Sequence, residues 1–173
     1  FSRPSGSRMS SEHIPELLDK TVELAANDYD LKKKYDFRHI AIVRDYEPDL
    51  PAIPCVATEI QQVVLNLLKN SAQAIAEKTY SSDVPRITLR LRRQNEWLRI
   101  EIEDNGPGID ENHRKRVFEP FFTTKEVGVG TGLGLSVSYF IITNNHGGTM
   151  TVESTLGAGT TFILRLPIQR GQS

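Results

Sequence analysis

Cysteine is almost missing from this chain of 173 residues, and the single one, Cys55, has no partner for an internal disulfide. Between Pro54 and Val56 in an apolar stretch it reads as a buried, inert thiol, so a disulfide-stapled scaffold is excluded. No apolar run approaches the roughly 18 residues of a membrane helix, and no charged-then-apolar signal segment opens the chain. An excess of charge of one sign is missing as well: 21 basic against 22 acidic residues leave −1. The bases are scattered rather than gathered into a patch, so nothing calls for nucleic acid or for contact with an anionic membrane. A reducing cytoplasm is the expected setting. Internal repeats are absent, and low complexity is confined to a serine-rich start. What is present, 38% hydrophobic and 25% charged residues, suits one globular domain with a substantial core.

Residues 1–12 have linker composition and are expected to be mobile, residues 13–168 form the domain, and 169–173 are a tail. Opening on Phe1, the chain reads as a piece of something longer. From Pro15 the spacing of Leu17, Leu18, Val22, Leu24 and Ala25 predicts a helix ending near Asn27-Asp28. Residues 37–43 read as a strand. Thr58 and Gln61 form a capping box for the longest helix, which runs to about Lys78. Strict alternation over 86–92 and 97–103 predicts two strands joined through Gln94-Asn95, with the outward arginines of the first beside the outward glutamates of the second. A helix over 135–144 and strands over 148–154 and 160–166 complete the pattern.

On the long helix Glu59, Gln62, Asn66, Asn70, Gln73 and Glu77 recur every three or four residues and share one face. Glu59 and Glu77 suit the solvent side. Asparagine is a mediocre helix former, so Asn66 and Asn70, one turn apart, are there for their amides. A carboxamide oxygen is a hard, neutral ligand fit for Mg²⁺, which takes its other ligands from water and nucleotide phosphates. Where the second strand ends, Asp104 can accept from the exocyclic amine of adenine, and Gly106 and Gly108 let the backbone turn close to a flat ligand. The run from Gly128 to Leu135 offers successive backbone N–H groups and leads into a helix N-terminus, which favours phosphate. It is neither a Walker A loop nor a dinucleotide-binding turn. Phe121, Phe122, Thr123, Thr124 and Lys125 precede it and give the composition of a lid over a triphosphate.

Taken in order, Asn66 to Asn70, Asp104 to Gly108, Val117-Phe118-Glu119-Pro120-Phe121, Gly130 to Gly134 and Gly157 to Phe162 resemble the five conserved boxes of the catalytic, ATP-binding domain of bacterial sensor histidine kinases. The resemblance spans roughly residues 14–167. It implies an α/β (α+β) sandwich, with helices on one face of a five-stranded mixed, mainly antiparallel sheet and a glycine-hinged ATP lid. It implies that Asn70 holds Mg²⁺, that Asp104 binds the adenine amine with support from Thr160, and that Gly106, Gly108, Gly130, Gly132 and Gly134 shape the backbone around base and phosphates. Thr124, Thr131 and Leu133 fall in the same nucleotide-binding lid, and Lys125 is placed for the terminal phosphates. Gln73 departs from relatives with a basic residue there.

Phe1-Ser2-Arg3-Pro4 resembles the end of the second dimerisation helix of such kinases. The implied partners are therefore an upstream dimerisation and phosphoacceptor domain, a homodimeric parent protein and a response regulator; whether that parent is membrane-anchored is left open. None of His13, His39, His113 and His146 has phosphoacceptor context. The fold is shared with ATP-hydrolysing relatives, which carry a glutamate where this chain has Asn66. An asparagine is no general base for water, whereas phosphoryl transfer to histidine rests on positioning and charge stabilisation. A kinase is preferred; an ATPase and a non-catalytic docking module are the alternatives.

Overall fold

The computed structural model describes residues 8–120, 122 and 134–169. A short strand, β1 (Ser10–Glu12), leads into α1 (Ile14–Asn27) and α2 (Tyr29–Lys34). Strands β2 (Ala41–Tyr46) and β3 (Ile53–Cys55) precede the long helix α3 (Ala57–Ala76), which is followed by β4 (Arg86–Gln94) and β5 (Trp97–Asp104). Helices α4 (Glu111–Arg114) and α5 (Gly134–Phe140) come next, then β6 (Thr149–Thr155) and β7 (Gly159–Pro167).

The main sheet has the order β2-β4-β5-β7-β6, with β2 and β4 parallel and every other pair antiparallel. Alternation decides its faces. Ile87, Leu89 and Leu91 of β4, Leu98, Ile100 and Ile102 of β5, and Phe162, Leu164 and Leu166 of β7 are all buried in the core, with Ile60, Val63, Val64, Leu67 and Leu68 of α3. Each such aliphatic side chain contributes about 1.5–3 kcal/mol of transfer free energy. Helix α3 contacts α1, α5 and β5, so the helices form one layer over the sheet.

Four local expectations change. Ser10–Glu12, expected within a linker, pair antiparallel with Ile53–Cys55, because that exposed backbone edge satisfies their N–H and C=O groups whatever the composition. The strand expected over 37–43 begins only at Ala41: Asp36 sits at φ 52°, and Phe37–His39 close a 3₁₀ turn. Thr58 does not cap α3. The helix starts one residue earlier, after Val56, whose N–H is accepted by Nε2 of the buried His146 at 3.0 Å. The same imidazole donates from Nδ1 to the Ile141 carbonyl at 2.9 Å, which assigns its tautomer. Helix α5 does not run on as an α-helix to residue 144; it passes into a π-turn over Ile141–Asn145.

The hairpin forms as expected, with Gln94 opposite Trp97 and Asn95 at φ 56°, where asparagine is tolerated better than most residues. Its charge pairing is less regular than simple facing of arginine and glutamate. Arg90 opposes Glu101 and bonds both Glu101 and Glu103, but Arg92 opposes Arg99. Arg92 therefore turns to Asp45 of β2 at 2.7 Å, and Arg99 turns along its own strand to Glu101 at 2.7 Å. Cys55 is fully buried, and burial pushes its thiol up to about 12, so it is protonated and inert.

Candidate nucleotide site

Three elements converge at the C-terminal end of β5: the second half of α3, the 104–108 loop, and the turn between β6 and β7. Asp104 is the last residue of β5, paired in register with Ile87 on one side and Thr160 on the other. Its alternation directs it into the core rather than to the charged outer face. Only 1% of it is exposed. Oδ1 accepts from the Gly106 N–H at 2.9 Å, while Oδ2 has no hydrogen-bond partner among the described residues. Burial raises its carboxyl to about 6, against the lowering influence of the Gly106 N–H, the Ser71 hydroxyl and the Thr160 N–H.

The loop is held by backbone packed on backbone. Gly108 has φ +78°, and a Cβ there would stand 2.3 Å from the Thr155 carbonyl oxygen. Gly159 has φ +136°, and its Cβ would stand 2.0 Å from the Asp104 carbonyl oxygen. At both positions a side chain is excluded by conformation and by space. The Gly157 N–H donates to the Pro107 carbonyl at 2.7 Å. Ser154 Oγ accepts from the Ile109 N–H at 2.7 Å, donates to the Gly159 carbonyl at 2.9 Å and meets the Thr160 hydroxyl at 2.9 Å.

Three residues that sequence reasoning passed over brace this end. Lys78 donates to the Asn105 and Gly157 carbonyls, each at 3.2 Å, and so bridges the two turns. Tyr80 donates to the same Asn105 carbonyl at 2.9 Å. Asn105 itself accepts from the Arg86 N–H at 2.7 Å and donates to the Val84 carbonyl at 2.7 Å. Lys78 stands at the expected end of the long helix, two residues past its observed end at Ala76, and no local pattern marks it as a brace; the contacts are made across 27 and 79 residues.

Toward the other end of α3, Asn66 and Asn70 are half-buried, as are Glu59 and Gln73, while Gln62 and Glu77 are exposed. Glu59 does not face open solvent: Asn145 donates to its carboxylate at 3.3 Å. The Asn66 amide donates to Ser138 Oγ at 3.3 Å and weakly to the Gly134 carbonyl at 3.5 Å, tying α3 to the start of α5. Phe118 stacks on Tyr139 of α5 with centroids 5.0 Å apart and meets the core Phe162 edge-on at 6.3 Å. The structure thus gathers Asp104, Gly106, Gly108 and Thr160 at one end, and Asn66 and Gly134 nearby along α3, with Asn70 between them in the helix. Thr124, Lys125, Gly130, Thr131, Gly132 and Leu133 lie outside the described residues, so the expected lid does too.

A buried, unpaired carboxylate oxygen beside turns too tight for a Cβ fits a flat ligand that brings a hydrogen-bond donor. The family model described as "Histidine kinase-, DNA gyrase B-, and HSP90-like ATPase" matches residues 55–170. The chain belongs to this family.

Among its relatives in the family are sporulation kinase E of Bacillus subtilis strain 168, 32% identical over 170 residues, covering 98% of this chain and 21% of that protein. Another is the sensory histidine kinase/phosphatase NtrB of Vibrio alginolyticus, 35% identical over 173 residues, covering 94% of this chain and 45% of that protein. The chain therefore spans from about a fifth to under half of these relatives. The nucleotide-free catalytic domain of histidine kinase ThkA superposes with a TM-score of 0.75 at 26% identity, covering 94% of this chain and 99% of that one. The expected sandwich, helices on a five-stranded mixed sheet, is the fold found. Among the described residues no helix is long and apolar enough to cross a membrane, and no cluster of metal-binding acidic, histidine or cysteine side chains occurs.

Proposed function

We propose that this chain is the ATP-binding catalytic domain of a two-component sensor histidine kinase, which transfers the γ-phosphoryl group of Mg-ATP to a histidine on a dimerisation domain of its parent protein. The observation that carries the nucleotide reading is the buried Oδ2 of Asp104, an acceptor waiting for an amine. Asp104 receives the adenine amine, Thr160 supports it from β7, and Gly106 and Gly108 admit the ring. Thr124, Lys125 and the glycines from Gly130 to Gly134, with Thr131 and Leu133, take the phosphates as a lid.

Asn70 is the residue that would hold Mg²⁺, through its amide oxygen. When bound, the ion neutralises charge on the phosphates. The residue type fits: Asn70 is half-buried one turn after Asn66 on α3, and one neutral amide oxygen suits an ion that keeps waters and phosphate oxygens as its other ligands. Asn70→Ala is expected to weaken nucleotide binding with Mg²⁺ far more than binding in a chelator; equal losses in calorimetry would mean that Asn70 serves the fold and not the ion.

Transfer is favoured over hydrolysis by Asn66. Its amide donates to Ser138 and cannot take a proton from attacking water. The acceptor histidine, a homodimeric parent and a response regulator follow from the kinase reading, and the two alternatives, hydrolysis and docking without chemistry, follow from its failure. Incubation of this chain with γ-labelled ATP and the separately supplied dimerisation domain of its parent separates them. Acid-labile label on the added domain is expected, at a slow rate that depends on both concentrations because no linker holds the partners together. Released phosphate would indicate an ATPase, and bound, unchanged ATP a docking module.

A further inference from the structure

The basic residues scattered along the sequence do not stay scattered in the sheet. On its outer face, away from the helices, Arg92 of β4 stands opposite Arg99 of β5, and Arg99 stands opposite Arg165 of β7, with Thr149 of β6 next in line. Alternation turns these side chains outward, since their strand neighbours Leu91, Leu98 and Leu164 lie in the core. Three guanidinium groups thus form one row about 10 Å long, two inter-strand spacings. Like charges directly opposite one another cost stability, and the fold relieves two of the three. Arg92 is taken by Asp45 and Arg99 by Glu101, each at 2.7 Å. Arg165 has no such relief: half-buried, it makes no side-chain hydrogen bond or ion pair among the described residues. Trp97, also half-buried, precedes Arg99 by two residues on the same face and stands opposite Pro167.

We infer that this row is a docking surface for a carboxylate-rich segment of another protein, with Arg165 as the anchor and Trp97 packing at the rim. An arginine carries five N–H donors and no acceptor, and its planar fork matches a carboxylate with two parallel bonds. Arginine and tryptophan are also the side chains that most often dominate binding where protein surfaces meet. The surroundings restrict the partner's charge to a compact cluster. One step along the strands the same face carries Asp45 and Glu101 on either side of Arg90, and Glu103 follows. A long polyanion running past the arginines would meet those carboxylates, which disfavours a nucleic-acid strand or an anionic membrane. The surface is separate from the nucleotide site: Trp97 begins β5, and Asp104 ends it.

Trp97 is the chain's single tryptophan, so its indole N–H resonance reports on this face. Titration of the chain with hexaglutamate at low ionic strength should shift that resonance to saturation, and hexaglutamine should leave it in place. Arg165→Gln removes the anchor's charge and should weaken hexaglutamate binding about 3–10-fold, the range of one partly screened ionic hydrogen bond. Thr149→Glu supplies a carboxylate from the facing position on β6. It should weaken hexaglutamate binding likewise while raising the melting temperature, a pairing that a merely structural arginine would not give. ADP affinity should be unchanged in both variants. No saturable shift with hexaglutamate, or equal affinity for it in the variants and the unaltered chain, would overturn the inference. A parallel loss of ADP affinity would overturn it too, by showing that the substitutions act through the fold. Tighter binding of a thymidine hexanucleotide than of hexaglutamate would do the same, because the row would then serve a nucleic-acid backbone. Thermal melting checks that Arg165→Gln folds; should it not, Thr149→Glu decides alone.

Discussion

Glu103 and Asp104 are neighbours on one strand, carry the same functional group, and live in opposite worlds. Glu103 points to the outer face of the sheet, where Arg90 grips it at 3.2 Å through two nitrogens and the Thr161 hydroxyl donates to it at 3.2 Å. Asp104, one step on, points inward, is all but fully buried, and keeps one oxygen without a partner. Because side chains alternate along a strand, a one-residue step is the whole difference between a solvated ion pair and a desolvated acceptor. Charge that decorates the outer face of the fold is thus distinguished from charge held inside it at a cost. An isolated buried carboxylate works against stability, and the structure answers by raising its pKa toward 6 through burial.

The largest effect should come from disturbing the frame that keeps Asp104 inward. Gly159→Ala places a methyl 2.0 Å from the Asp104 carbonyl oxygen at a φ of +136° that alanine rarely adopts. A loss of about 3 kcal/mol or more is expected, at the upper end for single substitutions. Denaturant unfolding checks it: a Gly159→Ala chain of unchanged stability would mean that the turn is free to move and that the inward position of Asp104 is not imposed by the backbone.

Next in size is Asp104→Asn, which should move stability and binding in opposite directions. Loss of a charge-assisted hydrogen bond to the adenine amine costs about 1.5–3 kcal/mol of affinity. Removal of the desolvated charge should stabilise the ligand-free chain by about 1–3 kcal/mol at pH 8. The sign follows from the pKa: raised in the fold from 3.8 to about 6, the carboxyl contributes stability below pH 3.8 that is lost as pH rises through about 6. Binding runs the other way, since only the carboxylate accepts without competition from its own proton. Adenosine, which has no phosphate to titrate, should bind more weakly as pH falls through about 6 to the unaltered chain, and independently of pH there to Asp104→Asn. A pH-independent affinity in both would remove the carboxylate from base recognition.

How much of this was legible depends on whether the signal was local. Alternation placed β4 and β5, and it also placed Asp104 at the end of a strand followed by glycines. The polar stripe on α3 picked out Asn66. Ser71 carried no such mark, because a small residue after Asn70 in a helix looks ordinary until α3 packs on β5, the strand that ends in Asp104. Lys78 and Tyr80 were hidden for the same reason: what they hold is the Asn105 carbonyl, a backbone atom 27 and 25 residues away. The start of α3 misled, since a hydroxyl at Thr58 and an amide at Gln61 form a good local cap, whereas the N-cap is Val56, whose own N–H is accepted by His146 from 90 residues away. The lid residues, from Thr123 to Leu133, lie outside the described residues.

The smallest effect should come from Glu103→Gln, one residue from the site and yet outside its chemistry. The Arg90 and Glu103 side chains are 30% and 39% exposed, so solvent screens their attraction, and Arg90 retains Glu101 at 3.3 Å when Glu103 loses its charge. Exposed ion pairs contribute about 0–1 kcal/mol, and the amide that replaces the carboxylate still accepts from Arg90 and from Thr161. Stability should therefore fall by a few tenths of a kcal/mol, less in high salt, with ADP affinity unchanged. The informative readout is the pH profile of adenosine binding. Glu103 adds to the raised pKa of Asp104, but as the weakest of its causes, so the transition near pH 6 should shift only slightly downward in Glu103→Gln. A large shift, or a loss of affinity comparable with that of Asp104→Asn, would mean that the two carboxylates act as one unit across the sheet and that the contrast between their faces does not hold.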